Sequence, residues 1–158
     1  MSRLDYCNAI YAGQPQIQLK RLQSVLNAAA RLIHGASKFC HITPHLKSLH
    51  WLKMKERIHY KLGLLVFKTL RGTAPKYLMN LIAPATTSNR TSTLRSAASC
   101  RSRIEFPRRH INTVFGDRAF KVAAPTAWNG LPDELRNMEL ESSFRRKLKT
   151  HLFARSYT

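Results

Sequence analysis

Acidic side chains are scarce in this sequence. Eight Asp and Glu stand against 27 Lys and Arg, which leaves a net charge of +19. Between residues 6 and 104 the only acid is Glu56, against sixteen Lys and Arg. Asp5 precedes that stretch, and Glu105, Asp117, Asp133, Glu134, Glu139 and Glu141 follow it. Two-metal phosphoryl transfer needs carboxylates clustered tightly enough to hold ions about 4 Å apart, and the first two thirds has only Asp5 and Glu56 for that task. An independent polymerase or nuclease centre, and hence an enzyme, is not expected. Asp133 and Glu134 are adjacent, so on a helix they diverge and make a poor acid–base pair. Asp117 with His110 is the remaining acid–base candidate, although capping the next helix is the favoured role for Asp117.

Cysteine is sparse, and glycine-rich loops and long apolar runs are lacking. The three cysteines, Cys7, Cys40 and Cys100, are odd in number and widely spaced. They imply no disulfide framework and fit reduced thiols in a nuclear or cytoplasmic, not a secreted, protein. The N-terminus has no apolar signal core. No stretch approaches the roughly 20 apolar residues of a membrane span, so no membrane partner is expected, and Asn89-Arg90-Thr91 is a chance glycosylation pattern. Neither a glycine-rich phosphate loop nor a Gly-x-Ser-x-Gly elbow occurs. Cys40, His41, His45 and His50 are the only cluster resembling metal ligands. Tetrahedral zinc needs four donors in one shell, usually as tight pairs. His45 and His50 would lie about 140° apart around a helix, so no metal and no cofactor is expected.

What the chain does have is helical periodicity. Residues 3–12 read as a short helix or the tail of a longer one, with Leu4, Cys7, Ile10 and Tyr11 on one face. Its abrupt start suggests a chain cut from something larger. Residues 16–34 are amphipathic: Leu19, Leu22, Leu26, Ala29 and Ile33 advance by three and four, and Gly35 stands where a C-terminal cap belongs. Thr43-Pro44 reads as a helix start running to about His50. Residues 54–71 form the most apolar helix, with Ile58, Leu62, Leu65 and Val66 on one side and Leu64 and Phe67 widening the stripe. Such width implies burial between neighbours, and a missing partner could be part of it. Lys76 to Leu81 follows as a short helix.

Residues 83–103 are dominated by Ala, Thr, Ser and Arg and read as a flexible basic linker. Beyond it, Ile104-Glu105-Phe106 and residues 110–115 suggest two short strands. A helical stretch from Gly116 contains Pro125, which should kink or split it. Asn129-Gly130 marks a turn, and a last helix from about Ser143 to Ala154 carries Phe144, Leu148 and Leu152 inward. The expected organisation is mainly α: a helical region over 1–82, the linker over 83–103, and a small α+β tail over 104–158 with a short hairpin.

An excess of +19 makes a folded chain repel itself unless a polyanion neutralises it. Phosphates do so with release of counterions. Nucleic acid is therefore the favoured partner, ahead of an anionic membrane surface. The candidate contacts are Lys20, Arg21, Arg31, Lys55, Arg57 and Lys61 on the two main helices, and Arg145, Arg146, Lys147 and Lys149 on the last. Tyr60, Trp51 and Trp128 could stack on bases, with core packing the favoured role for both tryptophans.

Several segments carry a family resemblance. They are Ser2-Arg3-Leu4-Asp5-Tyr6-Cys7-Asn8, Leu22 through Ile33, His41-Ile42-Thr43-Pro44, Leu49-His50-Trp51-Leu52, Arg57-Ile58, Leu65-Val66-Phe67-Lys68 and Ala74-Pro75-Lys76-Tyr77-Leu78. After the linker come Gly116-Asp117-Arg118-Ala119-Phe120, Ala123-Ala124-Pro125, Trp128-Asn129-Gly130-Leu131-Pro132, and Ser143-Phe144 through Phe153. In this order they resemble the region just beyond the polymerase palm in LINE-type (non-LTR) retrotransposon reverse transcriptases of the chicken-repeat and Jockey-like kind. The resemblance spans nearly the whole chain, and the Trp-Asn-x-Leu-Pro block is its most specific part. Lys53 departs from the family, where a proline is usual after His-Trp-Leu.

The resemblance implies that the parent is an RNA-directed DNA polymerase, with an endonuclease domain usually upstream. This chain would be its thumb and C-terminal tail. The Tyr-x-Asp-Asp motif is absent, so no catalytic residue is carried over. A thumb grips the template-primer duplex, which makes RNA or DNA the implied partner and the palm a missing neighbour. The competing expectations are a free-standing basic adaptor, or a domesticated transposon-derived protein, that docks a protein, and a small enzyme using Asp117 and His110.

Overall fold

A computed structural model describes residues 2–82, 103–106, 116 and 119–157, and over them the chain is mainly helical. The elements are α1 (Ser2–Asp5), a 3-10 turn (Asn8–Tyr11), α2 (Gln16–His34), α3 (Ile42–Ser48), α4 (Met54–Leu70), α5 (Lys76–Met79), α6 (Phe120–Asn129), α7 (Asp133–Arg136) and α8 (Glu141–Tyr157). No strand occurs among the described residues. The second expected strand, 110–115, lies outside them, as do His110, Asp117 and the linker up to residue 102.

The single helix expected over 3–12 is broken. Cys7 adopts φ +53, a left-handed conformation that ends α1 and restarts the chain as a 3-10 turn. Helix α2 has the expected bounds. Gly35, at φ +59, closes it. Its N–H bonds to the Leu32 carbonyl at 3.3 Å, and the Ala36 N–H reaches back to Arg31 at 2.9 Å, which satisfies carbonyls that the helix end leaves open.

The buried line of α2 is rotated from the expected stripe. Leu26 and Ala30 are fully buried against Leu46 of α3, while Ile33 is exposed. The seven-residue α3 covers only part of α2, and it covers the Leu26–Ala30 side. The rest stays uncovered: Ile17, Val25 and Leu32 of α2 are exposed, Leu32 at 84%, and Phe39 beyond it at 91%. Uncovered apolar surface thus lies on α2, and Leu65 of α4 also lines an open groove with the exposed Tyr6, Ile10 and Tyr77.

Helix α4 is the hub. Met54, Ile58, Leu62, Val66 and Phe67 are buried along it, with Glu56, Gly63 and Thr69 among them. Burying each large apolar side chain stabilises by about 1.5–3 kcal/mol. One core cluster joins Met54, Ile58 and Leu62 to Ala12 of the N-terminal segment. Another joins Val66 and Phe67 to Ala124, Trp128, Leu131, Leu135, Phe144, Leu148 and Leu152. Residues on both sides of 83–103 therefore share one core. Phe67 stacks on Phe144 with ring centroids 4.4 Å apart. Gly63 allows α8 to approach closely, since a Cβ there would meet Leu148 Cδ2 at 3.0 Å.

Pro125 neither splits nor ends α6, which runs through it for ten residues. The Trp128–Pro132 block is explained by packing. Trp128, at 1% exposure, and Leu131 enter the core. Pro132 precedes α7. The Asn129 side chain clamps Ile104, donating from Nδ2 to its carbonyl at 2.9 Å and accepting from its N–H at 3.0 Å.

Three ties fasten the end of α8 to the start of α4. Lys53 Nζ donates to the Ser156 carbonyl at 2.6 Å, where a cation meets the negative end of the helix dipole. The Tyr157 hydroxyl donates to the Trp51 carbonyl at 2.5 Å. Arg155 donates to Glu56. Lys53 itself has φ −61, the value a proline ring imposes, so the departure from proline leaves the start of α4 in a proline-compatible geometry.

Candidate nucleic-acid interface

Helices α4 and α8 carry cations on the sides that do not enter the core. The core face of α8 takes Phe144, Leu148 and Leu152, and one residue away from that line stand Arg145 and Lys149. On α4 the core takes Ile58 and Leu62, and Arg57 and Lys61 flank them. Because α8 packs on α4 through Gly63, Val66 and Phe67, the cations of the two helices meet over one cleft of about 450 Å³. Asp5, Asn8, His50, Trp51 and Tyr60 complete its polar and aromatic lining. Residues 57 and 149 are far apart in sequence, so only the fold brings them together.

Four fixed positive charges face this cleft against one acid, Asp5. Arg57 is the immobile member. It is half-buried, donating to Asp5 Oδ1 at 2.6 Å and to the Leu52 carbonyl at 3.0 Å, with its guanidinium 5.9 Å from the centre of the Trp51 ring. Lys61, Arg145 and Lys149 are exposed and have no ion-pair partner among the described residues. No family model matches this chain, and neither a curated protein nor a solved structure matches it. The functional reading therefore rests on the site.

The other expected contacts separate into groups. Lys20 and Lys55 line a second groove between α2 and the start of α4, together with Lys53, Gln14, Gln16, Gln23 and Asn27. Arg21, Arg146 and Lys147 are exposed but belong to neither concavity. Arg31 is half-buried, and its guanidinium turns to the Cys40 carbonyl at 3.5 Å, so it braces the loop after α2. Trp128 is a core residue, as favoured, and the half-buried Trp51 packs on the Leu26, Ala30 and Leu46 cluster while also lining the cleft.

Both acids of the basic two thirds are engaged by cations. Asp5 holds Arg57. Burial pushes the Glu56 carboxyl up, but hydrogen bonding and charge from His59 and Arg155 outweigh it and hold its pKa below the ordinary value. Burial raises the Tyr157 hydroxyl, against a smaller opposing effect of Arg57. The Cys–His cluster is rearranged. Cys40 Sγ lies 3.3 Å from His45 Nε2, and His34 rather than His50 sits beside that ring, 4.9 Å away between centroids. His50 stacks on Phe153 at 5.7 Å. No group of three potential ligands that could hold a metal ion occurs among the described residues, and no helix among them is long and apolar enough to cross a membrane.

Asn8, His50 and Lys53 were not among the residues singled out for nucleic acid. The left-handed Cys7 sets Asn8 against α4, and the left-handed His50, at φ +52, turns the chain between α3 and α4. Neither conformation carries a local sequence signal, because neither residue is a glycine.

Proposed function

We propose that this chain is a non-catalytic nucleic-acid-binding module that holds the phosphate backbone of a template-primer duplex. The observation that carries the reading is the cleft where Arg57 and Lys61 of α4 meet Arg145 and Lys149 of α8, opposed by Asp5 alone. The net charge of +19 supports it, since neutralising phosphates relieves self-repulsion and releases counterions. The resemblance to LINE-type reverse transcriptases points the same way. In that reading the parent is an RNA-directed DNA polymerase, the chain is its thumb and C-terminal region, and the catalytic carboxylates reside on a palm outside this sequence. Asp5 and Glu56, each committed to a cation, are poor candidates for metal ligands.

The experiment is binding of the whole chain to a primer-template duplex at salt concentrations from about 50 to 200 mM. A steep fall in affinity with salt is expected. Absence of binding at the lowest salt refutes the proposal.

A second role is favoured by one observation, the uncovered apolar face of α2 with Phe39. Exposed large apolar side chains gathered on one element favour a protein contact. In the polymerase reading the contact is with the palm. In the adaptor reading it is with an unrelated protein, and the duplex then does not bind even at the lowest salt.

A further inference from the structure

The cleft between α4 and α8 differs from an ordinary phosphate-binding face in three respects. It is concave, with a volume of about 450 Å³, within the size of pockets that enclose small ligands. A base still paired and stacked in a duplex cannot enter such a recess, whereas an unpaired one can. Its lining includes two aromatic side chains, Trp51 and Tyr60, both only half-buried. Every base offers a π-face to such rings, which makes aromatic-lined basic grooves suited to single strands. Finally, Asn8 lines the same cleft, is 3% exposed, and has an Oδ1 without a hydrogen-bond partner. A buried acceptor left unmet is costly, and this one lies beneath the accessible surface of the cleft.

We infer that this cleft receives an unpaired nucleotide from a single-stranded segment of the nucleic acid, a deepening that rests on the nucleic-acid reading above. The base lies against the Tyr60 ring and the exposed rim of Trp51, and the flanking phosphates lie on Lys61, Arg145 and Lys149. Arg57, fixed by Asp5 at 2.6 Å, keeps its guanidinium over Trp51 and orders that wall. A template overhang next to a primer end presents such a nucleotide.

The test compares the whole chain on a short blunt duplex and on the same duplex carrying a single-stranded overhang. The overhang is expected to bind about tenfold more tightly, and to quench the half-buried Trp51 while leaving the core Trp128 emitting. Tyr60→Leu and Trp51→Leu, which keep apolar bulk, remove that advantage, so that the overhang and the blunt duplex then bind each variant within about twofold of one another. Equal affinity for the two substrates overturns the inference. So do leucine variants that weaken both substrates equally, or displacement of the overhang by poly-glutamate as readily as by a free single strand. Should a leucine variant lose its helical circular dichroism, the wild-type quench decides, and no quench by the overhang overturns the assignment. Failure of every nucleic acid to bind at low salt refutes the underlying reading instead.

Discussion

Neutralising the cleft should lower the salt dependence of duplex binding by a computable amount. Lys61→Gln, Arg145→Gln and Lys149→Gln remove three exposed cations that have no ion-pair partner among the described residues. Each lost phosphate contact lowers the slope of log affinity against log salt by about 0.9 on a duplex, so three lower it by about 2.7. Over a fourfold rise in salt that difference amounts to about 40-fold in affinity. Fluorescence anisotropy on a labelled primer-template at several salt concentrations measures it. Thermal stability should hold or rise, because three like charges are removed from a chain of +19. Arg146→Gln with Lys147→Gln is the comparison, since these side chains lie outside the cleft. A triple variant that keeps the wild-type slope refutes the assignment of the cleft, and an equal loss in the Arg146 and Lys147 variant shows that charge alone, without concavity, determines binding.

Three further outcomes test the scaffold. Glu56 holds its proton less readily folded than unfolded, so its contribution is complete above about pH 4.3 and disappears as the pH falls through the lowered folded value. Glu56→Gln should therefore cost about 1–2 kcal/mol at neutral pH, discounted for the half-exposed Arg155, and flatten the acid limb of the stability curve; an unchanged acid limb contradicts this. Leu148→Ala empties the contact over Gly63 and should cost about 2–5 kcal/mol in urea unfolding, whereas a loss below about 1 kcal/mol means the two helices are not packed as described. Asn129→Ala removes both of its hydrogen bonds to the Ile104 backbone and should cost about 1–3 kcal/mol, with Asn129→Asp, which keeps only the acceptor, falling between it and wild type in thermal melts.

The long amphipathic helices were legible because their apolar spacing is carried by many residues at once. Phe144, Leu148 and Leu152 are buried as the spacing predicts, and Gly35 ends α2 where its left-handed freedom predicts. Finer features were not legible, for separable reasons. The rotation of the buried line on α2 from Ala29 to Ala30 depends on where the short α3 lands, which is a tertiary fact. The break at Cys7 puts a non-glycine residue at positive φ, and local preference argues against it. Among the cations, residue type could not separate Arg31 and Arg57, which brace backbone carbonyls, from Lys61 and Lys149, which have no ion-pair partner among the described residues. Their difference lies in the distance to a carbonyl or to Asp5, and that distance is set by the fold.

Core and cleft are two sides of the same pair of helices. The stripe that packs Leu148 onto Gly63 also sets Arg145 and Lys149 opposite Arg57 and Lys61, because residues one position off a buried line flank it on the same helix. The ties from Lys53, Tyr157 and Arg155 then fix the far end of α8 to the start of α4. Any change that loosens α8 must weaken the core and open the cleft together. Binding of a polyanion, which acts only on the assembled cleft, must in turn stabilise the packing of α8 on α4. Nucleic acid should therefore raise the melting temperature of the wild-type chain, and raise it much less in the Lys61, Arg145 and Lys149 triple variant. If the duplex stabilises both equally, it does not bind at the meeting of these helices.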